Sequence, residues 1–164
     1  VERDTMTWTS HTGQVFKNDR NEWVIYESTW PKSKITPLCE FMQRSYEDRA
    51  EIKRLSSGLT TSQIRIMKMA ATRQLGLSYD QGFDYDDKKT SFCSKFIFNN
   101  YSAIGIDIGQ LHTFQALLDE NPDMDISFWK VWYLGRIPYT RTTITPGDLI
   151  RDNKFSTVFK YNID

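Results

Sequence analysis

The feature that most constrains this chain is a pair of β-rich segments, residues 12–17 and 22–27, separated by Asn18, Asp19, Arg20 and Asn21. They carry Val15 and Phe16, then Trp23, Val24, Ile25 and Tyr26, residue types that fit a pleated, half-buried surface. Asn and Asp between them tolerate the backbone of a tight turn, so the stretch predicts an antiparallel hairpin. A hairpin has little stability alone and must bury one face under helices or further strands.

The remaining chain supplies that cover in an irregular order. Pro31 interrupts the chain, an extended piece surrounds Ile35, and Pro37 opens a short helix with Leu38, Phe41 and Met42 on one side. Residues 49–55 alternate loosely, as a strand with one wet face would. From Thr60 to Leu75 the apolar positions Ile64, Met67, Ala70, Ala71 and Leu75 recur at helical spacing, and Gly76 follows as a stop. Residues 79–90 hold Asp80, Asp84, Asp86 and Asp87 without periodicity and are expected to form a loop or short extended segment. Ser91 then offers an N-cap for a helix over 92–104. A helix near 113–120 should stop before Asn121-Pro122, and residues 127–135 form a dense apolar stretch expected to join the core. Thr145-Pro146 opens a single-turn helix and residues 155–161 read as a strand. With no alternating strand-helix-strand repeat, the expected class is α+β, as one domain over 1–164.

Charge and cysteine usage narrow the function. Lys+Arg 21 against Asp+Glu 21 cancel to a net charge of +0, which leaves no field to draw in nucleic acid. No apolar run approaches the ~20 residues that span a bilayer. No signal peptide opens the chain, and compartment and oligomeric state stay open. Cys39 and Cys93 are too few for a disulfide framework. His11 and His112, far apart and lacking His-x-x-x-His spacing, make a weak ligand set, so neither metal nor cofactor is expected. The chain begins with Val1 and a polar lead-in over 1–4, and an upstream segment is expected to have been lost.

Cys93 falls in the first turn of a predicted helix, where free backbone N–H groups and the helix dipole stabilise a thiolate. The plain alternative is a small buried hydrophobe between Phe92 and Phe96. Cys39, amid Pro37, Leu38 and Phe41, is expected to be buried and inert. A nucleophilic cysteine needs a base. His112 is expected on the surface or at a helix cap, whereas His11 begins the first hairpin strand and Glu27 closes the second. If the turn centres on Asp19, His11 and Glu27 stand directly opposed on one face; a loop of even length would separate them onto opposite faces. The spacing thus permits a Cys93, His11, Glu27 constellation, in which Glu27 fixes the imidazole and His11 takes the thiol proton. It equally permits an ordinary cross-strand polar pair.

Ser10-His11-Thr12-Gly13, then Val24-Ile25-Tyr26-Glu27-Ser28, then Tyr79-Asp80 and Phe92-Cys93-Ser94-Lys95-Phe96 resemble the His, Glu and Cys motifs of the circularly permuted papain-like, NlpC-type cysteine hydrolases, in their YiiX/YebB-like branch. The likeness extends to Ile52-Lys53-Arg54-Leu55, Gly58-Leu59-Thr60, Phe128-Trp129-Lys130, Ile137-Pro138 and Thr145-Pro146, nearly the whole chain. It implies a helix carrying the cysteine packed on an antiparallel sheet carrying the histidine and the acid. It implies a hydrolase forming an acyl-enzyme on Cys93, acting on amide bonds of cell-wall peptides, or on lipid acyl groups or thioesters. A silent peptide- or acyl-binding module is the alternative of a different class. The helix start is expected to hold the oxyanion, with Tyr79 and Ser94 as substrate-binding residues. Relatives usually carry a strand with a Gly-Asp motif ahead of the His; a chain lacking that strand would leave a sheet edge to be paired. The polar Gln14 replaces an apolar residue usual after Gly13.

Overall fold

β1 (Gln14–Lys17) and β2 (Trp23–Glu27) form the expected hairpin, with Lys17 facing Trp23 across the turn. In this computed structural model, which describes residues 9–45, 49–120, 122 and 126–162, Asn18 organises that turn. Its backbone N–H reaches the Glu22 carbonyl at 2.9 Å, and its side-chain oxygen accepts from the N–H groups of Arg20 and Glu22. The polar lead-in at 1–4 and the helix stop at Asn121 lie outside the described residues.

β3 (Lys34–Pro37) adds an antiparallel third strand, so β2 is central in the order β1-β2-β3. Pro37 ends this strand and caps α1 (Leu38–Gln43). β4 (Ala50–Leu55) pairs antiparallel with the C-terminal β9 (Phe155–Tyr161) as a separate ribbon. Between them lies α2 (Thr61–Arg73), opened by a capping box in which Thr60 and Gln63 satisfy each other's backbone N–H. Gly76, at φ +82°, lets the chain leave this helix through left-handed backbone.

The acidic segment is bracketed by β5 (Ser78–Tyr79) and β6 (Thr90–Ser91), a short parallel pair. α3 (Cys93–Ser102) follows immediately. Ser91 is not its cap: it lies in β6 with its hydroxyl buried and unpartnered, and Phe92 occupies the capping position in extended backbone with no side chain to offer. The expected N-cap is therefore one residue early. A Ser cap is worth about 1 kcal/mol, and its absence leaves the first amides of α3 free for other acceptors.

The second half comprises β7 (His112–Thr113), α4 (Phe114–Glu120), α5 (Ser127–Trp132), β8 (Thr142–Thr143) and α6 (Pro146–Arg151), with β7 and β8 antiparallel. Thr145 and Asp148 form a capping box on α6. The main core joins Phe16, Val24 and Tyr26 of the hairpin, Met67 and Ala71 of α2, and Phe92, Phe96, Ile97 and Tyr101 at and along α3. α3 thus packs against both β2 and α2. The polar Gln14 is accommodated because it accepts a hydrogen bond from the fully buried Asn100 at 2.7 Å. The class is α+β, a cysteine-bearing helix against an antiparallel sheet.

Candidate active site

Glu27 ends the central strand with no exposed surface, and three donors surround its carboxylate. Thr36 and Arg44 each donate to Oε1 at 2.5 Å, and the His11 ring lies 2.7 Å from Oε2. The ladder explains Thr36. Glu27 faces Lys34, so Thr36 is its diagonal neighbour on the same face. Arg44 arrives as the C-cap residue of α1. Burial alone would raise the Glu27 carboxyl, but the hydrogen bonds from His11 and Thr36 and the charges of His11 and Arg44 prevail and hold it at about 2.

His11 is not directly opposed to Glu27 as the Asp19-centred turn predicts. The observed pairs run from Lys17–Trp23 to Gln14–Tyr26, which centres the turn one residue later, on Arg20. Continued by one pair, this register brings Gly13 beside Glu27, and His11 stands two residues further on the same face, as a diagonal neighbour. Gly13 has a local reason: a Cβ there would lie 2.3 Å from Ile25 Cγ2 and 3.0 Å from Phe41 Cε2. Its absence lets Phe41 approach, and that ring sits 5.6 Å from the His11 imidazole, centre to centre.

Cys93 begins α3 and is buried. Its sulfur is hydrogen-bonded to the His11 ring and to the backbone N–H groups of Ser94 and Thr12. With His11 Nε2 given to Glu27, Nδ1 is the nitrogen left for the sulfur. Burial would push the thiol up, yet the His11 hydrogen bond and charge, with the two amides, draw it below its ordinary value. Burial likewise opposes a charge on His11, but the hydrogen bonds and charges of Cys93 and Glu27 raise it to about 9. Both shifts favour the charged thiolate–imidazolium form of the pair over the neutral one.

The parallel pairing of β5 with β6 sets Tyr79 beside Ser91, two residues before Cys93. The Tyr79 side chain is hydrogen-bonded to the Cys93 sulfur, and burial, then the thiolate charge, raise its phenol well above the ordinary range, so it keeps its proton. Ser94 presents its amide to the sulfur, while its hydroxyl is spent on the Ile144 carbonyl at 2.7 Å. Beyond Cys93 opens a cleft enclosing about 830 Å³ of empty space, part of it open to solvent. Its walls are chiefly apolar: Phe83, Phe114, Leu117, Trp129, Ile137 and Ile144.

Three further expectations fail. Cys39 is exposed, because α1 is a short surface helix none of whose residues is buried. His112 is buried instead of superficial. Its ring lies between Asp148, 3.1 Å from Nε2, and Glu120, 3.4 Å from Nδ1. The apolar stretch 127–135 is only partly core: Trp129 is buried, but Phe128, Val131, Trp132 and Leu134 are exposed.

Sequence reasoning missed Thr36, Arg44 and Lys95. Thr36 was findable from strand alternation, and Arg44 from its three-residue spacing after Phe41 on the same helix. Lys95 is almost wholly buried and donates its ammonium to the carbonyls of Asp84, Asp87 and Thr90, which pins the acidic loop against α3. Nothing in its surroundings in sequence marks a buried lysine.

Comparison with known proteins identifies the family and the fold. A family model described as permuted papain-like amidase enzyme, YaeF/YiiX, C92 family, matches residues 3–159. The uncharacterized protein YiiX of Escherichia coli strain K12 is 26% identical over 161 residues, which is 98% of this chain and 78% of that protein. A crystal structure described as metalloprotein yiiX from Escherichia coli O157:H7 superimposes with a TM-score of 0.88 at 25% identity, covering 98% of this chain and 87% of that one. Among the described residues here, no three His, Cys, Asp or Glu side chains gather as a metal site. His11 stands between Cys93 and Glu27, one ring nitrogen to each, in a hydrogen-bonded line that does not fit a shared ion. The shared fold and a family match over nearly the full length agree: the chain belongs to the permuted papain-like amidase family, YaeF/YiiX, C92.

Proposed function

We propose that this chain is a cysteine amidase working through an acyl-enzyme on Cys93, with His11 as base and acid and Glu27 as the carboxylate that orients it. The observation that carries the reading is the unbroken hydrogen-bonded line from the Cys93 sulfur through the His11 ring to the Glu27 carboxylate. The thiolate attacks the substrate carbonyl carbon, and the carbonyl electron pair moves onto oxygen. The α3 amides and the Tyr79 hydroxyl supply donors for that oxyanion. As it collapses, the C–N bond breaks and His11 gives its proton to the departing amine. Neutral His11 next takes a proton from water, and the resulting hydroxide attacks the thioester. The acid departs and the thiolate faces imidazolium again.

The resemblance implies cell-wall peptide amides as substrates. Burying their charged groups against Phe114, Leu117 and Ile144 would cost solvation, and Arg151 is the one charged side chain that lines the cleft to offset it. The cleft favours an amide whose acyl side is apolar. N-acyl amides of increasing chain length, short-chain thioesters and cell-wall peptide fragments should be assayed side by side with wild type and Cys93→Ala. Turnover that rises with acyl length and vanishes in Cys93→Ala is expected. Preference for the charged fragments would return the substrate to the cell wall, and equal ligand affinity without turnover in both forms would mean a binding module.

A further inference from the structure

We infer that the outer face of α5 and the turn after it form a membrane-docking lip, through which an apolar acyl chain passes from an anionic bilayer surface to the cleft beside Cys93. Val131 is 76% exposed and Leu134 89% exposed, so neither contributes to the core. Phe128 and Trp132 stack on each other with ring centres 5.5 Å apart, and Val131 shares their helix face at i+3 spacing, which makes one apolar ridge instead of scattered side chains. Leu134 also carries a backbone cost: it adopts φ +50°, a conformation that favours Gly or Asn. A large apolar residue in left-handed backbone and in water gains nothing from folding, and such outliers point to function.

Two observations select a lipid surface as the occupant. Lys130 and Arg136 are exposed within the same segment, and neither has a carboxylate partner among the described residues. Cations interleaved with aromatic and aliphatic side chains are the pattern of segments that lie in an anionic membrane interface. The ridge is also continuous with the cleft, because Trp129 of the same helix turns its ring inward to line it and Phe83 stacks on Trp132 from the cleft side. Trp132 ties its indole N–H to the Gln81 carbonyl at 2.8 Å and keeps part of its ring exposed. No helix among the described residues is long and apolar enough to cross a membrane, so the contact is superficial.

The acyl-transfer half rests on the amidase reading, and the docking half does not, so the two are tested separately. Wild type, a Val131→Asp/Leu134→Asp double variant and a Lys130→Glu/Arg136→Glu double variant are mixed with vesicles of equal parts phosphatidylcholine and phosphatidylglycerol and sedimented. Asp tolerates the left-handed backbone at 134, so that variant should fold. Wild type should partition onto the vesicles, the apolar variant on the order of tenfold or more weakly, and the charge variant several-fold more weakly. Turnover of a water-soluble short-chain amide, which reports the Cys93 chemistry alone, should stay within about twofold in both variants. Wild type left in the supernatant, or variants that bind as wild type does, would overturn the docking lip whatever the amidase assay gives.

Discussion

His11 Nε2 and Glu27 Oε2 meet at 2.7 Å although their residues are diagonal, not opposed, on the hairpin. The longer diagonal is bridged by two polar side chains reaching toward each other, and Gly13 at the intervening position leaves room for Phe41 against the ring. Glu27 thereby faces a donor on either side, His11 from the segment leading into β1 and Thr36 from β3.

Glu27→Gln should lower kcat/KM by roughly tenfold or more, since Gln still accepts a hydrogen bond but carries no charge to hold imidazolium. In wild type the alkaline limb of kcat/KM should fall near 9, where His11 loses its proton. The variant loses one of the hydrogen bonds and one of the charges that raise His11, so its alkaline limb should move to lower pH. A pH profile with the same limb in both proteins would separate Glu27 from the ring's protonation.

The low Glu27 value carries a stability consequence. Its folded value of about 2 lies below the ordinary 4.5, so its contribution is present above 4.5 and is lost as pH falls toward 2. Thr36→Val removes a donor to that buried carboxylate at a cost of about 1–3 kcal/mol and should raise the pH at which acid unfolding begins. Acid titration followed by tryptophan fluorescence measures this; coincident curves would mean that Arg44 and His11 suffice.

Lys95→Met should lower stability by about 1–3 kcal/mol, because carbonyls of the acidic loop lose a buried donor. The loop, and with it Phe83 at the cleft wall, should become the first site of proteolytic cutting. Limited proteolysis with mass mapping gives the answer, and an unchanged cutting pattern would show that the loop is held by other contacts.

The strands and helices of the first half were legible because periodicity, turn residues and prolines all agreed there. The three-residue motif was legible too, through its resemblance to a known family. What the sequence hid were effects of placement. Cys39 has apolar neighbours in sequence but sits on a one-sided surface helix. His112 sits beside a helix start in sequence but lies against Asp148 of α6 and Glu120 at the far end of α4, partners that its local sequence does not reveal. A one-residue shift in the turn centre moved His11 from opposed to diagonal without changing its face, since sheet faces repeat every two residues.

The exposure of Cys39 changes what thiol labelling should reveal. Exposure alone makes Cys39 accessible, whereas Cys93 is buried and its thiol is drawn below its ordinary value by His11 and two backbone amides. Iodoacetamide at mildly acidic pH, where ordinary thiols are protonated, should therefore modify Cys93 in preference, and the preference should shrink as pH rises. His11→Ala should abolish it. Preferential labelling of Cys39 throughout would argue against a thiolate at Cys93.

The most direct test is capture of the acyl-enzyme itself. Wild type is mixed with an activated N-acyl or thioester substrate of medium chain length, quenched in acid within the first turnovers, and its mass is read intact and after digestion. The predicted result is a mass increase equal to the acyl group, located on Cys93, absent in Cys93→Ala, and released by hydroxylamine as a thioester should be. Turnover that proceeds with no adduct on Cys93, or that survives in Cys93→Ala, would contradict nucleophilic catalysis by this cysteine.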